Sequence, residues 1–117
     1  GRSWSKAFDT KLRGQAANWR NINGELYILY TRREGDKPGI LMNKLTFEKE
    51  TPVIGEEIML WEAPGMVNKG DRIEQQFHNL KFGQASITKL DNNEELLCFW
   101  SCENEKYSIK SKVIRFD

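Results

Sequence analysis

The chain has 117 residues, which fits one small domain, and 18 basic residues stand against 17 acidic ones for a formal charge of +1. That balance excludes a strong global pull on nucleic acid or anionic lipid, and no apolar run approaches the roughly 18–20 residues of a membrane-spanning helix. Apolar residues make up 38% and charged residues 30%, so the core must be thin, with the 4 Trp, 3 Tyr and 6 Phe supplying much of it.

The opening Gly1-Arg2-Ser3-Trp4 lacks the apolar stretch of a signal peptide and has no initiator Met. The reading expects either an added Gly1 or a piece of something longer. Ser3–Asp9 carries Trp4 and Phe8 and is read as an additional strand.

Gly14–Glu48 and Gly83–Asp117 are two copies of one 35-residue unit, offset by 69 positions. Gly14-Gln15-Ala16 matches Gly83-Gln84-Ala85, Asn23 falls on Asn92, Leu26 on Leu96, Ile40 on Ile109 and Phe47 on Phe116. Each copy reads as three strands. In the first they are Ala16–Ile22, Glu25–Thr31 and Ile40–Phe47. Asn23-Gly24 between the first two is a strong short hairpin signal, because both residues accept positive φ. Glu25–Thr31 is almost continuously apolar, the pattern of a strand buried on both faces. Arg32–Gly39 is a polar loop.

The second copy predicts Ser86–Leu90, a turn at Asp91-Asn92-Asn93, Leu96–Ser101, a loop at Glu103–Lys106, and Ser108–Phe116. On its last strand Ile109, Ser111, Val113 and Arg115 share one face; Lys110, Lys112, Ile114 and Phe116 share the other. Between the copies, Glu48–Phe82 is rich in Pro and Gly, with one more strand at Glu57–Glu62 and a short helical turn within Arg72–Leu80.

The expected fold is therefore all-β. Two four-stranded antiparallel propeller-type blades are completed by oligomerisation or belong to a larger propeller; the alternative is a seven-stranded sandwich or barrel. Residues 1–62 form the first unit with an N-terminal closing strand, and 63–117 the connector and second unit, all within one β domain. Two blades alone would leave long apolar borders open, so a further copy of the chain is the expected partner.

Short motifs point to a family. Leu12-Arg13-Gly14-Gln15, Gly24-Glu25-Leu26, Tyr30-Thr31-Arg32, Gly39-Ile40 and Leu60-Trp61 resemble a blade of the sialidase-like (BNR-repeat) β-propeller superfamily. Leu80–Ser86 through Phe99-Trp100-Ser101 resembles a terminal blade of such proteins. The resemblance implies a sugar-directed architecture. It departs from the family where the Asp-box should stand, which reads Thr46-Phe47-Glu48-Lys49-Glu50-Thr51-Pro52. The position of the family's Tyr nucleophile falls on Ala85, so the expectation is a carbohydrate-recognising fragment that is non-catalytic alone. A glycoside hydrolase active only in a complete propeller and a protein-interaction β-domain are the alternatives.

In a propeller, the loops leading into each first strand converge with those joining the second and third strands. Here these are Lys11–Gln15 with Thr31–Lys37, and Lys81–Gln84 with Ser101–Glu105. The ligand-binding candidates are Arg13, Gln15, Arg32, Arg33, Gln84 and Glu103. Arginine's planar fork donates paired hydrogen bonds to anionic or hydroxyl-rich sugars, and glutamine both donates and accepts.

Trp61 and Trp100 read as core; Trp4 and Trp19 read as exposed. Cys98 and Cys102, about 13 Å apart on one strand face, cannot bridge each other and read as free thiols. With His78 they make a poor metal set, and neither a metal nor a cofactor is expected. Residues 1–20 hold five basic residues against Asp9, which makes single-stranded nucleic acid a third, weaker partner reading.

Overall fold

The computed structural model describes residues 2–63, 65, 72–78 and 80–116, with backbone alone for 76–78. Its elements are β1 (Gln15–Ile22), β2 (Glu25–Arg32), β3 (Gly39–Glu48), β4 (Thr51–Glu62), α1 (Ile73–His78), β5 (Phe82–Asp91), β6 (Glu94–Glu103) and β7 (Lys106–Arg115). They build one four-stranded antiparallel sheet, β1-β2-β3-β4, and one three-stranded antiparallel sheet, β5-β6-β7. The chain is all-β, as its sequence predicts, but the second sheet has three strands rather than four, and neither sheet closes into a barrel. Among the described residues, no helix is long and apolar enough to cross a membrane.

Both repeat copies fold as three-stranded meanders, and both carry a bulge early in the first strand. In β1 the register shifts between Gln15 and Asn18; in β5 it shifts between Gly83 and Ser86. A residue with positive φ sits in each, Ala16 (φ 52°) and Gln84 (φ 49°). The expected hairpin at Asn23-Gly24 is present, with φ of 52° and 84°.

The two connections from second to third strand differ. Arg33–Pro38 is a six-residue loop, while β6 and β7 are joined by Asn104-Glu105 alone, both at positive φ. The loop expected at Glu103–Lys106 is thus a two-residue turn, and its two flanking residues, Glu103 and Lys106, pair in the ladder. This contraction leaves the second unit without the projecting loop that the first unit has.

Two further expectations change. Strand β4 begins at Thr51 rather than Glu57, directly after the turn at Lys49-Glu50. Pro52 is tolerated because β4 is an edge strand, and Gly55 sits where the register slips. Ser3–Asp9 forms no strand: residues 2–14 lack ladder pairing. Side-chain turns take the backbone that follows Ser3–Asp9. The Lys11 amide donates to Asp9 Oδ1 (2.8 Å) and the Leu12 amide to Thr10 Oγ1 (3.3 Å), turns that compete with a ladder. The short helix falls within the predicted span, at Ile73–His78.

The sheets pack face to face. Tyr27, Leu29, Ile40, Met42 and Leu60 of the first meet Phe82, Ala85, Leu97 and Phe99 of the second in one buried cluster. Trp61 stitches them, its ring 5.3 Å from that of Phe82 and 4.6 Å from that of Phe99, so it packs half-buried against the core. Polar ties cross the same interface. Asn18 Nδ2 donates to the Ala85 carbonyl (2.9 Å), Lys112 Nζ donates to the Leu60 carbonyl (2.9 Å), and Arg20 pairs with the buried Glu95 (3.2 Å). A second cluster of Ile28, Tyr30 and Leu41 lies on the opposite face of the first sheet, with Leu12 and Met59 against it. Residues from both faces of β2 are therefore buried, which accounts for its unbroken apolar run.

Candidate functional site

A cleft of about 850 Å³ opens where the segment before β1 meets the β2–β3 loop. Residues of Lys11–Gln15 and Thr31–Lys37 line it, together with Glu57 from β4. These are the two first-unit loops read from the sequence, and the fold brings Arg13, Gln15, Arg32 and Arg33 to one opening. Glycine permits the approach: a Cβ on Gly14 would overlap the Tyr30 ring.

The two adjacent arginines have different surroundings. Arg32 points its fork at Glu57, with Nη1 at 2.9 Å from Oε1 and Nη2 at 2.5 Å from Oε2, while Nε donates to the Arg13 carbonyl (3.2 Å). Its charge is matched. The Arg32 hydrogen bonds hold the Glu57 carboxyl below its ordinary pKa. Arg33 has no acidic partner among the described residues. Its Nε donates to the Phe82 carbonyl (2.9 Å) and its Nη1 to Gln15 Oε1. Burial lowers its pKa, the expected effect of taking an unpaired cation partly out of water. The guanidinium lies against Gly83, where an added Cβ would collide with it. Arg33 thus crosses from the first repeat to the opening of the second, and its remaining donors have no partner among the described residues.

Sequence reasoning missed Glu57 as part of this site. It sits mid-strand on β4, and only the bidentate pairing with Arg32 reveals its place. Gln84 and Glu103 are not in the cleft lining. Gln84 occupies the bulge next to Gly83, and Glu103 pairs with Lys110 (2.6 Å) at the mouth of the tight β6–β7 turn. Without a longer loop there, neither residue reaches the cleft of the first unit.

Tyr30 contacts the acidic group beside the cleft: its hydroxyl lies 2.7 Å from Asn43 Oδ1 and 3.2 Å from Glu57 Oε2. The side chain is 2% exposed, and burial pushes the hydroxyl up to about 12. A phenol so placed stays protonated at neutral pH and is shielded from a substrate, which suits positioning of Glu57 and not attack. Ala85 is a methyl group in the inter-sheet core.

Thr31 Oγ1 and Ser101 Oγ, matching positions of the two repeats, are buried hydroxyls with no hydrogen-bond partner among the described residues. No group of three or more metal-ligating side chains occurs among the described residues. Cys98 is half-buried and Cys102 buried, both free, as the strand spacing requires. The side chain of His78 lies outside the described residues. No protein-family model, curated protein or solved structure matches this chain.

Proposed function

We propose that the chain is a two-blade piece of a sialidase-like propeller that recognises carbohydrate at the Arg33 cleft without hydrolysing it. The observation that carries the binding site is the Arg33 guanidinium, without an acidic partner among the described residues, and held against Gly83 by Phe82 and Gln15. A carboxylate or a vicinal hydroxyl pair of a sugar offers the acceptors this fork lacks. Arg13 and Lys37 add positive charge to the rim, while Glu34 and Asp36 supply acceptors for hydroxyls. The carbohydrate class itself rests on the motif resemblance over Leu12–Glu62. The propeller reading draws support from the order of strands within each sheet and from the face-to-face stacking of successive repeats.

The test is a glycan array probed with the wild-type chain, Arg33→Met and Gly83→Ala. Gly83→Ala keeps every charge but displaces the guanidinium, so it separates position from charge. Acidic glycans are expected to bind the wild type and to lose at least about tenfold affinity in both variants, equivalent to about 1.4 kcal/mol. Thermal melts of both variants check that the fold persists. Binding that survives both changes, or a wild type that retains no glycan, overturns the reading.

A further inference from the structure

Among the described residues, seven of the ten exposed large apolar side chains lie on or beside the outward faces of the two sheets: Tyr107, Ile109 and Val113 on the second, and Trp19, Phe47, Trp4 and Phe8 at the first. In the second sheet, the face turned away from the core carries Ser86 and Thr88 on β5. It carries Leu96, Cys98 and Trp100 on β6, and Tyr107, Ile109, Ser111 and Val113 on β7. Ile109 is 77% exposed; Tyr107 and Val113 are exposed as well. The charged residues of this face on β6 and β7, Glu94 and Arg115, pair with each other at one end (2.8 Å). Such a face belongs to a sheet expecting cover on both sides, and β6 has the composition of one.

The outer side of the first sheet bears Trp19, in register with Ile28 of the outer cluster, and Phe47 further along β3. Both are 56% exposed. Trp4 lies beside Phe47, and Phe8 is exposed in the segment that then brings Leu12 onto the outer cluster.

We propose that the outer face of the second sheet docks onto the outer side of the first sheet of another copy of this chain, head to tail. The occupant follows from the molecule's own construction. The inner face of the second sheet already packs on the inner face of the first, and the repeat gives each sheet apolar residues on both sides. Edge pairing is disfavoured, because β7 presents Lys106, Lys110 and Lys112 and β4 is interrupted by Pro52 and a register slip. Face stacking meets neither obstacle.

Three strands about 4.8 Å apart and ten residues long at about 3.3 Å each offer roughly 450 Å² of flat face, or roughly 900 Å² counted over both copies. Side-chain relief raises this toward the roughly 1,000–1,200 Å² of a weak specific interface, so association belongs in the micromolar range. A heterologous contact of this kind either closes a ring or extends without limit. The inference shares the stacked-blade reading above but needs no sugar site.

The experiment is light scattering coupled to size exclusion, with sedimentation velocity, on the unliganded chain over a concentration series. Ile109→Lys and Trp19→Lys place charge on the two outward faces, and both positions are exposed enough to leave the fold intact, which melting curves check. The wild type is expected to assemble beyond a dimer, each variant alone to be monomeric, and an equimolar mixture to yield dimers. In the mixture one undamaged face of each kind remains. Alkylation of Cys98 is expected to slow severalfold as the wild type assembles and to stay fast in Ile109→Lys. A wild type monomeric at every concentration overturns the inference. So does a Trp19→Lys chain that still dimerises, since that marks a face meeting its own kind. A monomer that binds glycans leaves the sugar reading standing, and an assembly that binds none removes only that reading.

Discussion

If the two sheets share one core, a cavity beneath the second sheet must unfold both together. Leu97 is the sharpest probe, since it is 0% exposed in the centre of β6 and packs in the inter-sheet cluster. Leu97→Ala removes three carbons, worth about 2.4 kcal/mol at roughly 0.8 kcal/mol each. The unfilled space raises the cost to about 3 kcal/mol or more. For 117 residues the unfolding entropy near the midpoint is about 0.25 kcal/mol per kelvin, so Tm should fall by about 12 °C.

Ile109→Ala is the matched control on the opposite face of the same sheet. In dilute solution, where no partner covers it, its cost should stay within about 0.5 kcal/mol. Differential scanning calorimetry with far-ultraviolet circular dichroism reads both. A single transition shifted as stated supports the shared core. Two separate transitions, or a Leu97→Ala shift no larger than that of Ile109→Ala, would refute it.

The remaining predictions concern polar groups around the cleft. Glu57 is held below its ordinary value of 4.5 by Arg32, so its ion pair contributes fully above that pH and is lost as pH falls through the lowered value. Glu57→Gln should therefore cost about 1 kcal/mol at neutral pH, an amount kept small by partial exposure. The difference from wild type should fade in acid, as denaturant melts at several pH values would reveal. A difference that grows on acidification contradicts this assignment. Thr31→Val replaces a buried hydroxyl with no partner among the described residues by a methyl group of similar size, and should be neutral or stabilising by up to about 1 kcal/mol. Urea titration checks it, and a clear loss of stability would mean that the hydroxyl is satisfied.

Most of the strand order was legible from local chemistry. Asn23-Gly24 marks its hairpin because both residues accept positive φ, and the unbroken apolar run of β2 announces burial on both faces. The repeated Gly-Gln-Ala located two equivalent strands, and the loops it anchors in the first unit do form a cleft. The start of β4 was not legible, since Pro52 and Gly55 signal a break to any local reading, and only pairing with β3 carries the strand through them. Nor was the absence of a strand at Ser3–Asp9, where Trp4 and Phe8 suggested one but side-chain turns at Asp9 and Thr10 took the backbone that follows.

Composition and spacing by themselves determined an all-β chain built from one unit used twice, with paired arginines where the second strand of the first unit gives way to its loop. Tertiary structure alone decided which arginine is neutralised and which is not. Arg32 and Arg33 are neighbours with identical side chains, but Arg32 closes β2 and faces Glu57 of β4, while Arg33 opens the loop and reaches across to Phe82 and Gly83 of the next sheet. Electrostatic pairing depends on distances between segments far apart in the chain, and no local pattern encodes those distances.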